Sequence, residues 1–245
     1  QRSILMAAVL NEGYSCTDKE KYLSRAKGCR VWDLHGNAYV DMAMAGGSAI
    51  LGHANESIVE AASSQFAAGS LFTSPSLLAH QFCEVIAPSL APLSDFVFSS
   101  TGSEATLRAI RIARAATGKK KIAIFSGSWH GSHDLLLVED DPNSDQHNPK
   151  AVLKSAGTTR DVLDQVIILP YNDPAALTLI KNNAQEIAMV FIEPAQGSNP
   201  RGDIRDFLLG LRKVCTENGV LLGFDEIITG GRLALGGGKA HFDIN

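Results

Sequence analysis

Gly219-Val-Leu-Leu-Gly-Phe224 is an apolar run of six residues that ends on an acid, Asp225. A run that is apolar throughout, rather than at alternate positions, marks a strand covered on both faces, as in parallel sheets between helices. A carboxylate at the carboxyl end of such a strand lies where open α/β sheets bind ligands, and burying it is costly without a cationic partner. The same kind of run recurs at Lys121-Ile-Ala-Ile-Phe125, Val166-Ile-Ile-Leu169 and Ile187-Ala-Met-Val-Phe-Ile192, while Asp95-Phe-Val-Phe98 is shorter with strand character. Helical spacing of apolar residues fills the intervals 58–68, 77–86, 104–116, 174–181 and 204–217. The helix over 104–116 has Ser103 as its expected N-cap, Glu104 in its first turn and Gly118 just past its end. The alternation predicts an α/β fold, a mostly parallel sheet with helices on both faces.

Composition narrows the function classes. With 245 residues, 45% of them hydrophobic, the chain can bury a large core. A net charge of −4 leaves no electrostatic footprint for nucleic acid, and Lys119-Lys120-Lys121 reads as a solvated turn. Cys16, Cys29, Cys83 and Cys215 are widely spaced with no CxxC pair, the pattern of reduced thiols rather than disulfides or zinc ligands. Ile4 to Leu10 is too short to span a membrane and lacks a signal-peptide cleavage pattern. A cytoplasmic protein without membrane or nucleic-acid partners is expected. Cys29-Arg-Val-Trp-Asp33 and Ala38-Tyr-Val-Asp-Met42, around His35-Gly-Asn37, predict a hairpin outside the main sheet. Residues 139–165 open with Glu139-Asp-Asp-Pro-Asn-Ser-Asp145 and read as a polar surface excursion.

The candidate chemistry gathers at strand ends. Ser99-Ser-Thr-Gly-Ser103 precedes a helix and offers N–H groups, hydroxyls and a positive dipole end to an anion such as phosphate. Taken alone it reads as a cap with its loop. Gly127-Ser-Trp-His-Gly131 places Trp129 at a strand exit, where an aromatic either stacks on a ligand or packs into the core. His130 and His133 with Asp134 suggest a metal site, but no third ligand has suitable spacing, and hydrogen-bonded loop histidines explain them. Glu193 and Gln196 mark a third exit and Asp225 a fourth. A phosphate cradle, an aromatic plate, an amide and a buried acid together match the needs of pyridoxal phosphate. The acid would keep the pyridine nitrogen protonated, and the ring's charge would be the cation that the acid requires.

Several motifs in order carry a family resemblance: Val31-Trp-Asp-Leu-His-Gly-Asn-Ala-Tyr-Val-Asp41, Ala49-Ile-Leu-Gly-His53, Ser100-Thr-Gly-Ser-Glu-Ala-Thr106, Ala109-Ile-Arg-Ile-Ala-Arg114, Ser128-Trp-His-Gly131, Glu193-Pro194 and Phe224-Asp-Glu-Ile-Ile-Thr-Gly230. Through them the chain resembles the class III, pyridoxal-phosphate-dependent aminotransferases of fold type I, above all the glutamate-1-semialdehyde aminomutase branch. The resemblance implies a large cofactor-binding domain over 56–245 and, over 1–55, the N-terminal segment of a small α+β domain. It assigns Thr101, Gly102 and Ser103 to the phosphate, Trp129 to stacking on the ring, Ile227 to the ring's opposite face, and Gln196 to the phenolic oxygen, with His130 among the cofactor-binding residues. Asp225 becomes the catalytic partner of the pyridine nitrogen. Glu193 supports its strand end, with a structural acceptor role and a substrate role both open. A homodimer acting on a small-molecule amino donor and a carbonyl acceptor is implied.

The chain departs from the pattern where substrate would lie. Gln196-Gly-Ser198 looks like an ordinary transaminase where aminomutases have Ala-Gly-Asn, Gly231 replaces a Phe before Arg232, and Trp129 replaces a Tyr. Arg232 is a candidate for gripping a substrate carboxylate, or else a structural ion-pair partner. In the family the Schiff-base lysine follows the acid by more than twenty residues, so it is expected beyond Asn245, with the C-terminal portion of the fold missing. Lys239, in a glycine-rich turn, matches a non-catalytic surface position. The expected activity of the complete protein is ping-pong transamination through pyridoxamine phosphate. The alternatives are intramolecular amino transfer as in the aminomutase, a non-catalytic truncated fragment, and one module of a larger biosynthetic enzyme.

Overall fold

The computed structural model describes residues 9–11, 14–16 and 22–244; residues 4–8 of the apolar N-terminal stretch and the Cys16 side chain lie outside them. The chain divides into two compact units, Gln1–Leu77 and Leu78–Asn245.

In the first unit, β1 (Val9–Asn11) pairs antiparallel with β2 (Tyr14–Cys16). A three-stranded antiparallel sheet follows, built from β3 (Leu23–Lys27), β4 (Arg30–Asp33) and β5 (Ala38–Val40). The expected hairpin is therefore its last two strands. Asp33 organises the turn: Oδ1 accepts from the His35 and Asn37 amides, and Oδ2 accepts from Asn37 Nδ2 and Tyr39 OH, all at 2.9 Å. Helix α1 (Glu56–Ala68) starts at Asn55, whose side chain accepts from the Ile58 amide, and ends at Gly69 with φ 103°.

The second unit opens with α2 (Leu77–Leu90), whose first residue belongs to the preceding unit, and α3 (Gly102–Thr117). It continues through β6 (Lys121–Phe125), a β7–β8 hairpin (Val138–Asp140 and Ala151–Leu153), β9 (Val166–Leu169), α4 (Ala175–Asn183), β10 (Ile187–Ile192), α5 (Arg205–Glu217), β11 (Leu221–Phe224) and the short α6 (Gly237–His241). The main sheet has the order β11-β10-β6-β9 and is parallel throughout.

Alternate side chains of this sheet serve different helices, as the two-residue period of a strand demands. Ile122, Ile124, Val166, Ile168 and Phe191 pack with Ile110 and Ala113 of α3. Ala123, Phe125, Leu169, Val190 and Ile192 pack instead with Ile180 of α4 and Leu208, Leu211 and Cys215 of α5. The alternation slips at Ala188 and Met189, which share a face where the register of β10 against β6 shifts. Every residue of β10 is buried. Each fully buried aliphatic side chain here contributes about 1.5–3 kcal/mol relative to exposure, so the sheet and its two helical layers hold the molecule's main store of stability.

Four local expectations change. Asp95-Phe-Val-Phe98 forms no strand: no neighbour takes its backbone groups among the described residues, and Phe98 instead lies 6.1 Å, centroid to centroid, from Phe82. Apolar composition favours extension, but a strand exists only where a ladder satisfies it. The N-cap of α3 is Thr101 rather than Ser103, because Thr101 Oγ1 accepts from the Glu104 amide at 3.2 Å. The polar excursion contains β8 and the end of β7, antiparallel from Val138↔Leu153 to Asp140↔Ala151. The lysine cluster is not merely solvated, since Lys119 Nζ donates to the Gly219 carbonyl at 2.7 Å and Lys121 pairs with Glu186 at 2.6 Å. Among the described residues no helix is long and apolar enough to cross a membrane.

Candidate active site at the strand exits

Parallel pairing of β6, β10 and β11 places their carboxyl ends on one edge of the sheet, and the ladder runs slightly past the strands. The Ser126 amide donates to the Leu169 carbonyl and the Asp225 amide to the Ile192 carbonyl. The exits following these strands are therefore held rigidly, and the N-terminus of α3 joins them through side-chain contacts.

Asp225 is 6% exposed and His130 1%. His130 Nδ1 lies 2.8 Å from Asp225 Oδ2, and Asp225 Oδ1 accepts from the Ile227 amide at 3.1 Å. The His130 ring packs on Phe191, with centroids 4.5 Å apart, and the His130 carbonyl accepts from Thr106 Oγ1 of α3 at 2.8 Å. The acid thus has a buried protein partner that the spacing of the motifs did not announce. Each carboxylate oxygen keeps a second lone pair for a further donor.

Glu193 supports two loops at once. Its Oε2 accepts from the Trp129 amide at 3.2 Å and its Oε1 from the Gly197 amide at 3.4 Å. Burial raises its pKa above the ordinary carboxylate range, an effect the Trp129 amide partly offsets. Gln196 is buried, donates from Nε2 to the Ser126 carbonyl at 2.8 Å, and donates its amide to Tyr171 OH at 3.3 Å. Burial pushes the Tyr171 phenol up to about 12. Tyr171, which donates to the Glu193 carbonyl at 3.2 Å, escaped sequence reasoning although Pro170-Tyr-Asn-Asp173 is itself a polar strand exit.

At the α3 end, Ser103 Oγ accepts from the Ser132 amide at 2.9 Å, and Gly131 sits so close that a Cβ there would lie 2.6 Å from that hydroxyl. A Cβ at Gly102 would lie 2.6 Å from Cδ1 of Ile227. Glycine at 102 is what lets the helix N-terminus approach the loop after β11. Thr101, Gly102, Ser103, Trp129, His130, Glu193, Gln196, Asp225 and Ile227 therefore occupy one continuous cluster.

Two members face outward: Trp129 is 46% exposed and Ile227 53%. Lys154, another residue not singled out from sequence, holds its ammonium 5.0 Å from the Trp129 ring centroid. Lys239 is half-buried and donates to the Ala91 carbonyl at 2.9 Å. Buried polar atoms without a partner among the described residues are Ser99 Oγ, Ser128 Oγ, His130 Nε2, His133 Nδ1 and Thr158 Oγ1. All but Thr158 belong to the loop before α3 and the loop after β6. Folded proteins pair buried polar groups with few exceptions, so this local excess suits loops that receive a ligand. Helix N–H groups, exposed apolar plates and a buried carboxylate with spare lone pairs fit a phosphorylated aromatic cation.

Residues 15–239 match the family model for class III aminotransferases. Among the similar proteins, the chain is 37% identical over 227 residues to a glutamate-1-semialdehyde 2,1-aminomutase of Archaeoglobus fulgidus, covering 91% of this chain and 53% of that one. It is 40% identical over 226 residues to the enzyme of that name from Methanococcoides burtonii, with 91% and 53% coverage. The chain thus spans about half the length of these relatives. An omega-transaminase structure from Sphaerobacter thermophilus superposes with a TM-score of 0.85 at 31% identity, over 97% of this chain and 56% of that one. A fold type I architecture is common to these neighbours and to this chain. Motif order, site geometry and the family match converge: the chain belongs to the class III aminotransferases.

Proposed function

We propose that the complete protein transfers an amino group from an amino acid or amine to a carbonyl acceptor, using pyridoxal 5'-phosphate held at the strand exits. The observation that carries this reading is the buried Asp225 carboxylate, oriented by His130 and the Ile227 amide at the carboxyl end of β11. Solved transaminases similar to this chain include one with that cofactor bound, at 28% identity and a TM-score of 0.80. When bound, the cofactor supplies an electron sink for the carbanion left when a substrate carbon loses its proton.

The chain's own groups divide the work. The Gly102 and Ser103 amides at the head of α3, with Thr101, would hold the phosphate by hydrogen bonds and helix dipole. Trp129 and Ile227 would cover the two ring faces and exclude water. Gln196 would donate to the phenolic oxygen. Asp225 would hold the proton on the ring nitrogen, and His130 holds Asp225 in turn. Glu193 positions Trp129 through its amide. Residues 1–55 would contribute to a small domain and 56–245 to the cofactor domain, in a homodimer.

Adding pyridoxal phosphate to the chain should give saturable visible absorption and raise its unfolding temperature, since binding to the folded state alone stabilises it by mass action. No saturable binding would overturn the reading. The aminomutase relatives favour a second reading, amino transfer within one molecule. Product analysis of the complete protein with a single substrate, no second carbonyl compound being added, separates the two.

A further inference from the structure

Of the four parallel strands, β6, β10 and β11 carry the groups assigned above on their exits, while β9 ends on Leu169 and turns through Pro170 into Tyr171. We propose that Tyr171 positions Gln196, and that through Gln196 it sets the hydrogen bond offered to the cofactor's phenolic oxygen. The second clause rests on the function proposed above; the first does not.

Hydrogen balance fixes what the Tyr171 hydroxyl does. It lies 3.2 Å from the Glu193 carbonyl and 3.3 Å from the Gln196 amide nitrogen. A carbonyl only accepts and an amide N–H only donates, so the hydroxyl gives its one proton to Glu193 and takes the Gln196 amide on a lone pair. Only a neutral phenol does both, and burial above all keeps it neutral, pushing its pKa up to about 12.

The hydroxyl is thus a brace across the turn from 193 to 196. The Gln196 carbonyl is held too, accepting from the Asn199 amide at 3.2 Å. With both backbone groups fixed, the buried Gln196 side chain meets the Ser126 carbonyl at 2.8 Å, a bond that uses one of the two hydrogens on Nε2. The brace is itself anchored in the core: the Tyr171 ring stands edge-on to Phe125, the last residue of β6, with centroids 6.0 Å apart, and Phe125 is buried. Tyr171 acts through Gln196, which makes it a positioning residue.

Tyr171→Phe keeps the ring against Phe125 and deletes the brace. In the 245-residue chain without cofactor, the NMR signals of the Gln196 backbone and side-chain amides should both move in this variant. In the unaltered chain the Gln196 backbone amide should be protected from hydrogen exchange, a readout that does not rely on the variant folding. Pyridoxal phosphate gives a further readout, since a donor to its phenolic oxygen favours the ionised form and lowers the pH at which the visible band titrates. Tyr171→Phe should raise that pH in the same direction as Gln196→Ala and weaken cofactor affinity roughly fivefold, the effect of about one hydrogen bond. In a Gln196→Ala background it should change neither. Unmoved Gln196 signals, rapid exchange of the Gln196 amide in the unaltered chain, or an effect on the cofactor that persists undiminished without Gln196 would overturn the assignment. Gln196 signals that move in a chain unable to bind pyridoxal phosphate would reject the function proposed above and leave Tyr171 as the brace. Normal cofactor binding and an unchanged band titration in Tyr171→Phe would reject its part in holding the cofactor.

Discussion

Asp225 is gripped at both oxygens, so removing it has two separable effects. In Asp225→Ala the His130 Nδ1 loses its buried partner, which costs about 1–3 kcal/mol of stability. Turnover by the complete protein should fall by a factor on the order of a thousand or more, because the protonated ring is lost. Asp225→Asn keeps a hydrogen-bonding group beside His130 and should recover much of the stability but little of the rate; kcat/KM and urea unfolding read the two effects apart. Gly102→Ala is the sharper probe of the phosphate end. Its Cβ displaces the Ile227 side chain, and pyridoxal phosphate affinity should fall roughly tenfold. An unaltered dissociation constant in Gly102→Ala would mean that the N-terminus of α3 does not meet the cofactor. The residue types at each exit were legible from motif order. The bond between His130 and Asp225 was not, since 95 positions separate them and nothing local to either names the other.

Elements obey more local rules, and their limits were mostly readable. Gly118 ends α3 in the left-handed conformation with φ 70°, as a glycine after a helix does, and the four apolar runs became the four parallel strands. Leu208 of α5 is fully buried against the sheet; Leu208→Ala should cost about 2–5 kcal/mol in urea unfolding by leaving a cavity. In the β4–β5 turn, hydrogen bonds to Asp33 from the Asn37 side chain first, and also from Tyr39 and the backbone, hold its carboxyl at about 2. Because this folded value lies below the ordinary one, the turn's stabilisation is complete above the ordinary carboxylate range and is lost as pH falls through about 2. Amide NMR signals of His35 and Asn37 should report that loss, and Asp33→Ala should abolish the acid transition there. The misread strand at 95–98 shows the opposite case, in which local propensity had no partner to act upon.

Over the whole molecule, apolar surface is unevenly spent. The sheet and its helices bury their apolar residues, whereas α2 buries none, and Leu78, Phe82 and Val85, exposed by 55%, 50% and 78%, form one stripe at helical spacing. Such a stripe suits the proposed homodimer. Sedimentation velocity of the chain should show concentration-dependent dimers, and Val85→Glu should shift it toward monomer; a dimer indifferent to that change would place the interface elsewhere. The sequence by itself determined the α/β alternation, the ends of most elements and the residue types at each strand exit, because periodicity, capping and turn chemistry act over a few positions. Only the tertiary structure decided which exits meet, that His130 is the buried partner of Asp225, and that Gly102 makes room for Ile227. Those facts depend on contacts between residues far apart in the chain, and such contacts exist only once the parallel ladders have brought the strand ends to one edge.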